Sequence, residues 1–354
     1  MKLLAALFLA ALSLGACAPV MIPAGPVIGE ASIVPFVPPP LPWTYRPAYA
    51  FAPSPPEAQP SGPRPEEMLV MPDGARLPLR IWRPEGEPRF LVVALHGLTD
   101  HGGNFMADGG PLLTAGGAIV YAYDQRGFGW NPARGYWAGT DTLVGDAREA
   151  IRLLRRRHPG LPVYVLGESM GAAVALVLDP RDVSGVILSS PAIWGGPYLS
   201  DFLRGLLWGA SRALGPLAMP AGAAGITASD NPEALRRFAR DPLTLHEVRF
   251  DMVKGIVDLM DQAVAALPAC CREVPTLVMI GGRDQVVPIR YARRALHDAA
   301  VPRVAFYPEG WHLLLRDRNR EQVARDVLAF MANPAQRLPA EEAGREWLAA
   351  TPPP

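Results

Sequence analysis

Ser169 is the residue of this chain best placed to act as a nucleophile. It is the serine of a Gly-x-Ser-x-Gly motif at 167–171, preceded by the apolar run 163–166 and followed by the apolar segment 172–176. A buried strand, a sharp turn and a buried helix are the setting in which this motif forms a nucleophile elbow. Only glycine leaves room for the strained backbone beside the serine. The motif therefore predicts a catalytic serine whose Oγ stands clear of a sheet.

A serine hydroxyl needs a base that takes its proton, and the base needs a third group that holds its tautomer. After a serine elbow, the acid and then the histidine follow along the chain, each in a loop after a strand. Asp284 follows the apolar run 274–280, and His312 follows the next run, 303–307. Glu309 is less well placed as the acid, and the other histidines lie on helical patterns or before the serine. We predict that His312 is the base and Asp284 the acid.

Acyl transfer also needs two N–H donors at the point where negative charge develops. The elbow supplies one of them, the N–H of Met170, because this residue directly follows the nucleophile. The second is predicted to be the N–H of Leu98, since His96-Gly97-Leu98 directly follows the apolar run 90–95. A plain turn is the alternative for a His-Gly pair after a strand.

Strand and helix patterns alternate around these residues. Apolar runs that predict buried strands lie at 90–95, 118–123, 163–166, 186–188, 274–280 and 303–307. Amphipathic helix patterns separate several of these runs, for example at 146–158. Buried strands that alternate with helices predict an α/β fold with a mainly parallel, doubly wound sheet. Such sheets bind ligands at the carboxyl ends of their strands.

The alternation stops over residues 192–268, which contain no strand run. Their clearest feature is a helix with Leu203 and Leu206 on an apolar face. An insertion at this point predicts a helical cap over the site. We take His101, Trp194, Leu203 and Leu206 as candidate substrate-lining residues. The alternative is that the apolar face packs on the core and touches no substrate.

The same patterns divide the chain into segments. We predict a signal peptide, a proline-rich linker, a core in two parts separated by the cap, and a C-terminal tail without a readable role. Their bounds, in chain order, are 1–17, 18–66, 67–191, 192–268, 269–333 and 334–354. Proline is dense in the linker, so no helix can propagate there, and we expect an extended spacer.

The N-terminus has the features of an export signal. Lys2 precedes the apolar run 3–12, which is too short to cross a bilayer, and the segment ends in Leu-Gly-Ala-Cys at Cys17. This ending resembles a bacterial lipobox, whose cysteine is acylated and becomes the new N-terminus. We therefore predict a lipid anchor on Cys17. Ala18 at the next position resembles the sorting signal for an outer membrane, facing the periplasm. An ordinary secretory signal with an incidental cysteine is the alternative.

Composition argues against several kinds of partner. The formal net charge is +0 and charged residues make up only 19% of the chain, so we expect no binding to nucleic acid. Cys270 and Cys271 are adjacent, which would strain a bridge between them, and they lack the spacing of a zinc site. We therefore expect reduced thiols, no metal and no other cofactor.

Five motifs in order resemble the monoacylglycerol lipase and lysophospholipase group of α/β-hydrolases. They are the His-Gly-Leu loop within 95–101, Asp-Gln-Arg-Gly-Phe-Gly at 124–129, the elbow at 167–171, Gly-Gly-Arg-Asp at 281–284 and Gly-Trp-His at 310–312. The resemblance covers roughly 67–332 and implies an α/β-hydrolase fold.

By position, the resemblance implies a catalytic triad of Ser169, Asp284 and His312, with Leu98 and Met170 as the oxyanion hole. It also implies that the loop at 124–129 braces the core. Two residues depart from the family's pattern. Glu168 stands where a histidine often precedes the serine, and Asn131 stands where a serine commonly closes the Arg-Gly loop.

The resemblance implies a serine hydrolase that cleaves acyl esters, such as monoacylglycerols or lysophospholipids, through an acyl-enzyme. A proline-type aminopeptidase, a thioesterase and a short-chain carboxylesterase are alternatives within enzymes. Dehalogenases and epoxide hydrolases carry an aspartate at the elbow, so Ser169 argues against them. A non-catalytic lipoprotein whose hydrolase-like domain binds partners is the alternative from another class. The complete set of candidate catalytic residues favours the enzyme.

Overall fold

The structure is a computed structural model that describes residues 20–38, 59–222, 225–270 and 272–350. The predicted signal peptide with Cys17 therefore lies outside the described residues, as does much of the predicted linker. Within the described ranges, no helix is long and apolar enough to cross a membrane.

One sheet organises the molecule. The strands are β1 (Ser32–Pro35), β2 (Glu67–Val70), β3 (Arg76–Trp82), β4 (Phe90–Leu95), β5 (Ala118–Tyr123), β6 (Val163–Glu168), β7 (Gly185–Ser189), β8 (Ala218–Pro220), β9 (Glu247–Arg249), β10 (Thr276–Gly281) and β11 (Val304–Tyr307). Among the described residues, nine of them form one sheet in the order β1-β2-β3-β5-β4-β6-β7-β10-β11. Neighbours are antiparallel from β1 to β5 and parallel from β5 to β11. The predicted mainly parallel sheet is confirmed.

Helices cover both faces of this sheet. They are α1 (Gly102–Phe105), α2 (Gly109–Ala115), α3 (Thr140–Arg157), α4 (Met170–Leu178), α5 (Asp201–Leu214), α6 (Pro232–Arg240), α7 (Phe250–Ala266), α8 (Ile289–Asp298), α9 (Arg320–Ala332) and α10 (Pro339–Ala349). One hydrophobic cluster joins one face of the sheet to α3, α4, α7 and α8, and a second joins the other face to α1, α2 and α9. The sheet is therefore doubly wound, as predicted.

The central strand β4 shows how the sequence specifies this arrangement. All its residues are buried, and alternate side chains enter different clusters: Leu91 and Val93 belong to one cluster, Val92 and Ala94 to the other. A strand with two buried faces needs apolar residues at every position, because successive side chains point to opposite faces. This is why its bounds coincide with the apolar run in the sequence.

The described part of the proline-rich segment is not a free spacer. Residues 20–38 form an arm along the protein, in which β1 pairs with β2 at the edge of the sheet. Near the start of this arm, the N–H of Val20 donates to Asp251 Oδ2 at 3.0 Å, and the N–H of Ile22 donates to the carbonyl of Trp137 at 2.9 Å. Residues 20–38 contain no helix, but they are bonded to the rest of the protein, so the prediction of a spacer is wrong for this arm. Proline stops a helix from propagating, but it is tolerated in an edge strand.

The predicted cap is not entirely helical. Within 192–268, β8 pairs antiparallel with β9 in a separate two-stranded sheet. Each of these strands has three residues, which is too short for an apolar run or an alternation to appear in the sequence.

Helix α5 does not bury the whole apolar face that its sequence pattern predicts. Phe202 is 82% exposed and Leu206 is 58% exposed, whereas Ser211 on the polar side is buried. Arg204, also polar, donates to both carboxylate oxygens of Asp261 in α7. A charge pair between helices thus holds Arg204 against α7, whereas Phe202 and Leu206 face outward. The alternative in which this apolar face packs on the core is wrong for Phe202 and Leu206.

Two further predictions are wrong, one on the C-terminal segment and one on Cys270. Residues 334–354, predicted to be a tail, contain α10, which lies so close to β11 that a Cβ on Gly344 would be 1.8 Å from the carbonyl oxygen of Val304. Cys270 is disulfide-bonded and is not a reduced thiol. The pairing of cysteines cannot be deduced from sequence alone. Cys17 and Cys271 lie outside the described residues.

Candidate active site

The turn at Ser169 has the geometry of a nucleophile elbow. Ser169 has φ 52° and ψ −111°, a strained conformation for a residue that is not glycine, and it lies between the end of β6 and the start of α4. Its N–H donates to the carbonyl of Ser189 at 2.9 Å, and its carbonyl accepts from the N–H of Ala192 at 3.1 Å. These bonds hold the strained backbone in place against β7 and the segment after it.

Close approach explains the two glycines of the motif. A Cβ on Gly167 would lie 2.5 Å from the backbone nitrogen of Ala172, and a Cβ on Gly171 would lie 2.0 Å from the carbonyl oxygen of Leu95. Any larger side chain would push α4 away from β4 and β6. The helix can follow the strand this tightly only because both positions are glycine.

The loop after β4 lies against the elbow. A Cβ on Gly97 would lie 3.4 Å from the Cβ of Ser169. Leu98, the next residue, is partly buried against the core, and Thr99 has φ 67°. Met170 is the first residue of α4, where backbone N–H groups have no acceptor within the helix. The two residues predicted to form the oxyanion hole therefore belong to segments that meet at Ser169.

His96 fixes the start of this loop. Its Nε2 accepts from the N–H of Gln125 at 3.0 Å, so its Nδ1 carries the proton and donates to the carbonyl of Gly97 at 2.8 Å. Burial lowers the pKa of His96 to about 4. The imidazole is thus neutral, which its two hydrogen bonds require.

The two remaining catalytic candidates are in contact. His312 Nδ1 donates to Asp284 Oδ2 at 2.8 Å, and both side chains are buried. The other oxygen of Asp284 accepts the N–H groups of Val286 and Val287 at 2.8 and 3.0 Å. The carboxylate is therefore held by its own loop, and it fixes the tautomer in which His312 Nε2 can accept a proton.

The electrostatic surroundings of His312 favour its charged form. Burial lowers its pKa, but the charge of Asp284 and the hydrogen bond to it, together with the charge of Glu168, raise it above the ordinary value of 6.5. A base with a raised pKa binds the serine proton more strongly once the site is deprotonated.

The acid and histidine loops are packed together as a unit. A Cβ on Gly281 would lie 2.2 Å from the carbonyl oxygen of Trp311, and the N–H of Arg283 donates to the carbonyl of Gly310 at 2.8 Å. Asp317 supports the histidine loop, because its carboxylate accepts the N–H of Trp311 at 2.7 Å.

The loop at 124–129 is a structural brace, as its resemblance implies. Asp124 pairs with the buried Arg80 at 2.5 Å and accepts the N–H of Gly102 at 3.0 Å. Arg126 donates to Asp146 at 2.7 and 2.9 Å and to Asp73 at 2.5 Å. These pairs join β3, α1, α3 and the turn between β2 and β3.

One buried ion cluster beside the site was not predicted. Arg316, which is 1% exposed, donates to Asp100 Oδ2 at 2.6 Å and to Glu168 Oε1. Asp100 follows the loop at 96–98, and Glu168 directly precedes Ser169. The one sign of this cluster in the sequence is the unusual glutamate before the nucleophile.

The structure changes the interpretation of one predicted substrate contact, His101. Its side chain is fully buried, its Nδ1 accepts the N–H of Gly103, and its Nε2 donates to Asp241 at 3.0 Å. Both ring nitrogens therefore serve the fold, and the prediction of a ligand contact is wrong. A histidine next to a site loop is equally suited to capping the helix that follows.

Of the three candidate substrate-lining residues in the predicted cap, only Trp194 is packed against the hydrophobic core. Trp194 is partly buried, stacks on Tyr291 at 5.6 Å between ring centroids, and donates to the carbonyl of Tyr198. Leu203 is partly exposed, and Leu206 faces outward on α5. Leu206 therefore does not line a buried site. Among the described residues, no group of histidine, cysteine and acidic side chains is arranged to hold a metal ion.

The chain is similar in sequence to a known protein family and to several lipases. The profile of the family described as "Serine aminopeptidase, S33" matches residues 86–319. The monoacylglycerol lipase of Mycolicibacterium smegmatis is 28% identical over 286 residues, which are 77% of this chain and 99% of that protein. The monoglyceride lipase of Homo sapiens is 32% identical over 133 residues, 36% of this chain and 44% of that protein.

Solved structures show the same architecture. The crystal structure of a monoacylglycerol lipase from Paleococcus ferrophilus matches with a TM-score of 0.60 at 24% identity. The match covers 73% of this chain and 99% of that chain. At this identity the likeness shows a common fold.

Proposed function

The chain belongs to the serine aminopeptidase S33 family of α/β-hydrolases, and on this premise we propose that Ser169 is the nucleophile of an ester hydrolase of the lipase type. The predicted family and fold are confirmed by the match over 86–319 and by the lipases of known structure. One observation carries the assignment of the site: the hydrogen-bonded pair of His312 and Asp284, in loops after β11 and β10.

In the proposed reaction, His312 Nε2 takes the proton of Ser169 Oγ as Oγ attacks the carbonyl carbon of the ester. The N–H groups of Leu98 and Met170 bind the oxyanion that forms. His312 then gives its proton to the leaving alcohol, and an acyl-enzyme remains. Water attacks this ester with His312 again as base, which releases the carboxylic acid and restores the serine.

Monoacylglycerols or lysophospholipids are the proposed substrates. The support is the likeness to a monoacylglycerol lipase over nearly the whole length of that protein. We also propose that the protein is exported and held on the cell envelope by a lipid on Cys17, at the outer membrane facing the periplasm. This part rests on the sequence Leu-Gly-Ala-Cys and on Ala18 alone.

A direct experiment tests the nucleophile. A fluorophosphonate probe should label the purified protein, and Ser169→Ala should abolish both labelling and hydrolysis of monoacylglycerol. Ser211→Ala is the matched control, because Ser211 is a buried serine in α5 that bonds to the carbonyl of Trp208. It should label like the parent. Labelling that persists in Ser169→Ala would reject the assignment.

The description of the matching family favours an aminopeptidase as the second candidate. Proline p-nitroanilide and monoacylglycerol, assayed on the same preparation, separate the two. A kcat/KM for the anilide above that for the ester would assign the protein to the peptidases.

A further inference from the structure

Arg316 connects three segments that are far apart in the sequence. It lies 216 residues from Asp100 and 148 residues from Glu168, and it donates to both carboxylates. Asp100 belongs to the segment that carries Leu98, Glu168 precedes Ser169, and Arg316 follows His312 in the same loop. The guanidinium therefore bridges the elbow, the oxyanion loop and the histidine loop.

The cluster is buried and closely packed. Asp100 and Glu168 are 2% and 1% exposed, and Asp100 Oδ1 also accepts the N–H of His101 and the side-chain amide of Asn104 at 2.8 and 2.9 Å. A planar guanidinium can serve two carboxylates at once, which fixes their relative positions. A Cβ on Gly97 would lie 3.7 Å from Glu168 Oε1, so the cluster directly underlies the oxyanion loop.

We propose that Arg316 is a positioning residue for the reaction, which through Glu168 and Asp100 holds His312 and the oxyanion loop in register with Ser169. The proposal rests on the proposed function of this site. In this proposal Glu168 has two effects: it bonds to Arg316, and its negative charge acts on His312.

The charged groups around these two side chains define that effect. Glu168 faces Arg316, Asp100, His312 and Asp317, and burial raises its pKa to about 7 although Arg316 opposes the shift. His312 faces Asp284, Glu168 and Arg316, and the charge of Glu168 contributes to its raised pKa. The acid side of the pH profile therefore belongs to Glu168 and His312 together.

Arg316→Lys tests the positioning role. Lysine keeps the positive charge but lacks the fork that reaches two carboxylates. We expect kcat on a soluble ester to fall by about 10- to 100-fold, the usual effect of misaligned catalytic groups, with KM within about threefold. Arg303→Lys is the matched control, since Arg303 forms a buried pair with Glu341 at the β11–α10 edge. It should lower Tm and leave kcat per folded molecule unchanged.

Glu168→Gln tests the electrostatic role and does not depend on the fate of Arg316→Lys. The amide oxygen can still accept from Arg316, but the negative charge is gone. Loss of this charge lowers the pKa of His312, so the acid limb of kcat/KM should move to lower pH by about 0.5 to 1 unit. A purely structural role for Glu168 would change Tm and leave this limb in place.

The outcomes separate the proposals. A kcat within twofold of the parent in Arg316→Lys overturns the positioning role, and an unmoved acid limb in Glu168→Gln overturns the electrostatic effect of Glu168, while the parent remains an active enzyme. Should Arg316→Lys fail to fold, Asp100→Asn takes its place, because it removes one of the two carboxylates that Arg316 bridges. A kcat within twofold of the parent then overturns the positioning role. Absence of Ser169-dependent ester hydrolysis in the parent would instead reject the proposed function.

Discussion

At His312, burial lowers the pKa, but the charge of Asp284, the hydrogen bond to it and the charge of Glu168 together outweigh burial. The pKa is raised above 6.5, and only the neutral imidazole can accept the proton of Ser169. We therefore expect kcat/KM to decline on acidification with a midpoint above pH 6.5. Rates on p-nitrophenyl butyrate from pH 5 to 9 measure this limb. A midpoint below 6.5 would mean that the base is another group.

Asp284→Asn provides the control for this prediction. It removes the charge that raises the pKa of His312, so the midpoint of the acid limb should fall. Because asparagine also disturbs the tautomer, kcat should drop by about 10³- to 10⁴-fold. A variant with full activity would show that Asp284 is not the acid of the site.

The catalytic candidates could be predicted because each directly follows a strand that the sequence makes visible. Asp284 and His312 come after the runs that became β10 and β11, and the family's order of residues assigns their roles. Arg316 could not be predicted in the same way. Its partners lie 148 and 216 residues away, and no local pattern indicates a pairing over such distances.

Among the elements, the strands that are buried on both faces are the ones whose bounds could be predicted from the sequence. Phe90–Leu95 and Ala118–Tyr123 have the bounds of their apolar runs, because every residue in them is buried. The edge strand β1 escaped prediction, since its residues are only partly buried or exposed. Helix α10 was not predicted either, because its sequence has no clear apolar stripe. It packs on β11 through small residues such as Gly344 and carries charged residues on its outer side.

Helix α10 covers the last strand of the sheet, and Gly344 makes this contact possible. A Cβ there would lie 1.8 Å from the carbonyl oxygen of Val304, a backbone atom that cannot rotate away. We expect Gly344→Ala to destabilise the protein by about 1 to 3 kcal/mol, as overpacking commonly does. Thermal unfolding followed by circular dichroism measures the change.

Gly145→Ala is the control for this prediction. Gly145 lies inside α3, and a Cβ there meets no atom within 4 Å. Alanine is the better helix former, so this variant should be as stable as the parent or more stable by up to about 1 kcal/mol. Equal Tm values for the two variants would show that α10 does not press against β11.

Among the residues that the structure describes, the most exposed aromatic side chain lies on α5. Phe202 is 82% exposed, and Leu206 and Trp208 are 58% and 54% exposed. Burying one such side chain in lipid is worth about 1.5 to 3 kcal/mol. In protein that carries no lipid on Cys17, we therefore expect Phe202→Ser with Leu206→Ser to weaken binding to phosphatidylcholine vesicles by more than about tenfold, with kcat/KM for p-nitrophenyl acetate unchanged. Flotation with vesicles measures the binding.

Val27→Ser is the matched control, because Val27 is 78% exposed but lies on the arm next to the turn between β2 and β3. It should bind vesicles like the parent. Equal losses in both variants would mean that any exposed apolar residue contributes in the same way, and that α5 has no special role at the lipid.

The predicted lipid on Cys17 has its own test. Cys17→Ser should abolish incorporation of a tagged fatty acid in cells and should move the protein from the membrane fraction to the soluble fraction. Kinetic constants on soluble esters should not change, because Ser169 and its partners lie in a different part of the chain. Tag that remains on Cys17→Ser would contradict the lipobox assignment.

The hydrogen bond between Val20 and Asp251 sets a geometric limit on the proposed anchor. Only two residues separate Cys17 from Val20, and three steps of extended chain reach at most about 11 Å. The start of α7 would thus lie close to the bilayer that holds a lipid on Cys17. The enzyme could pivot about this point but could not withdraw from the surface. Its encounters would then be confined to one leaflet. Turnover would follow the mole fraction of substrate in that leaflet, and diluting the vesicles in bulk water would leave it unchanged.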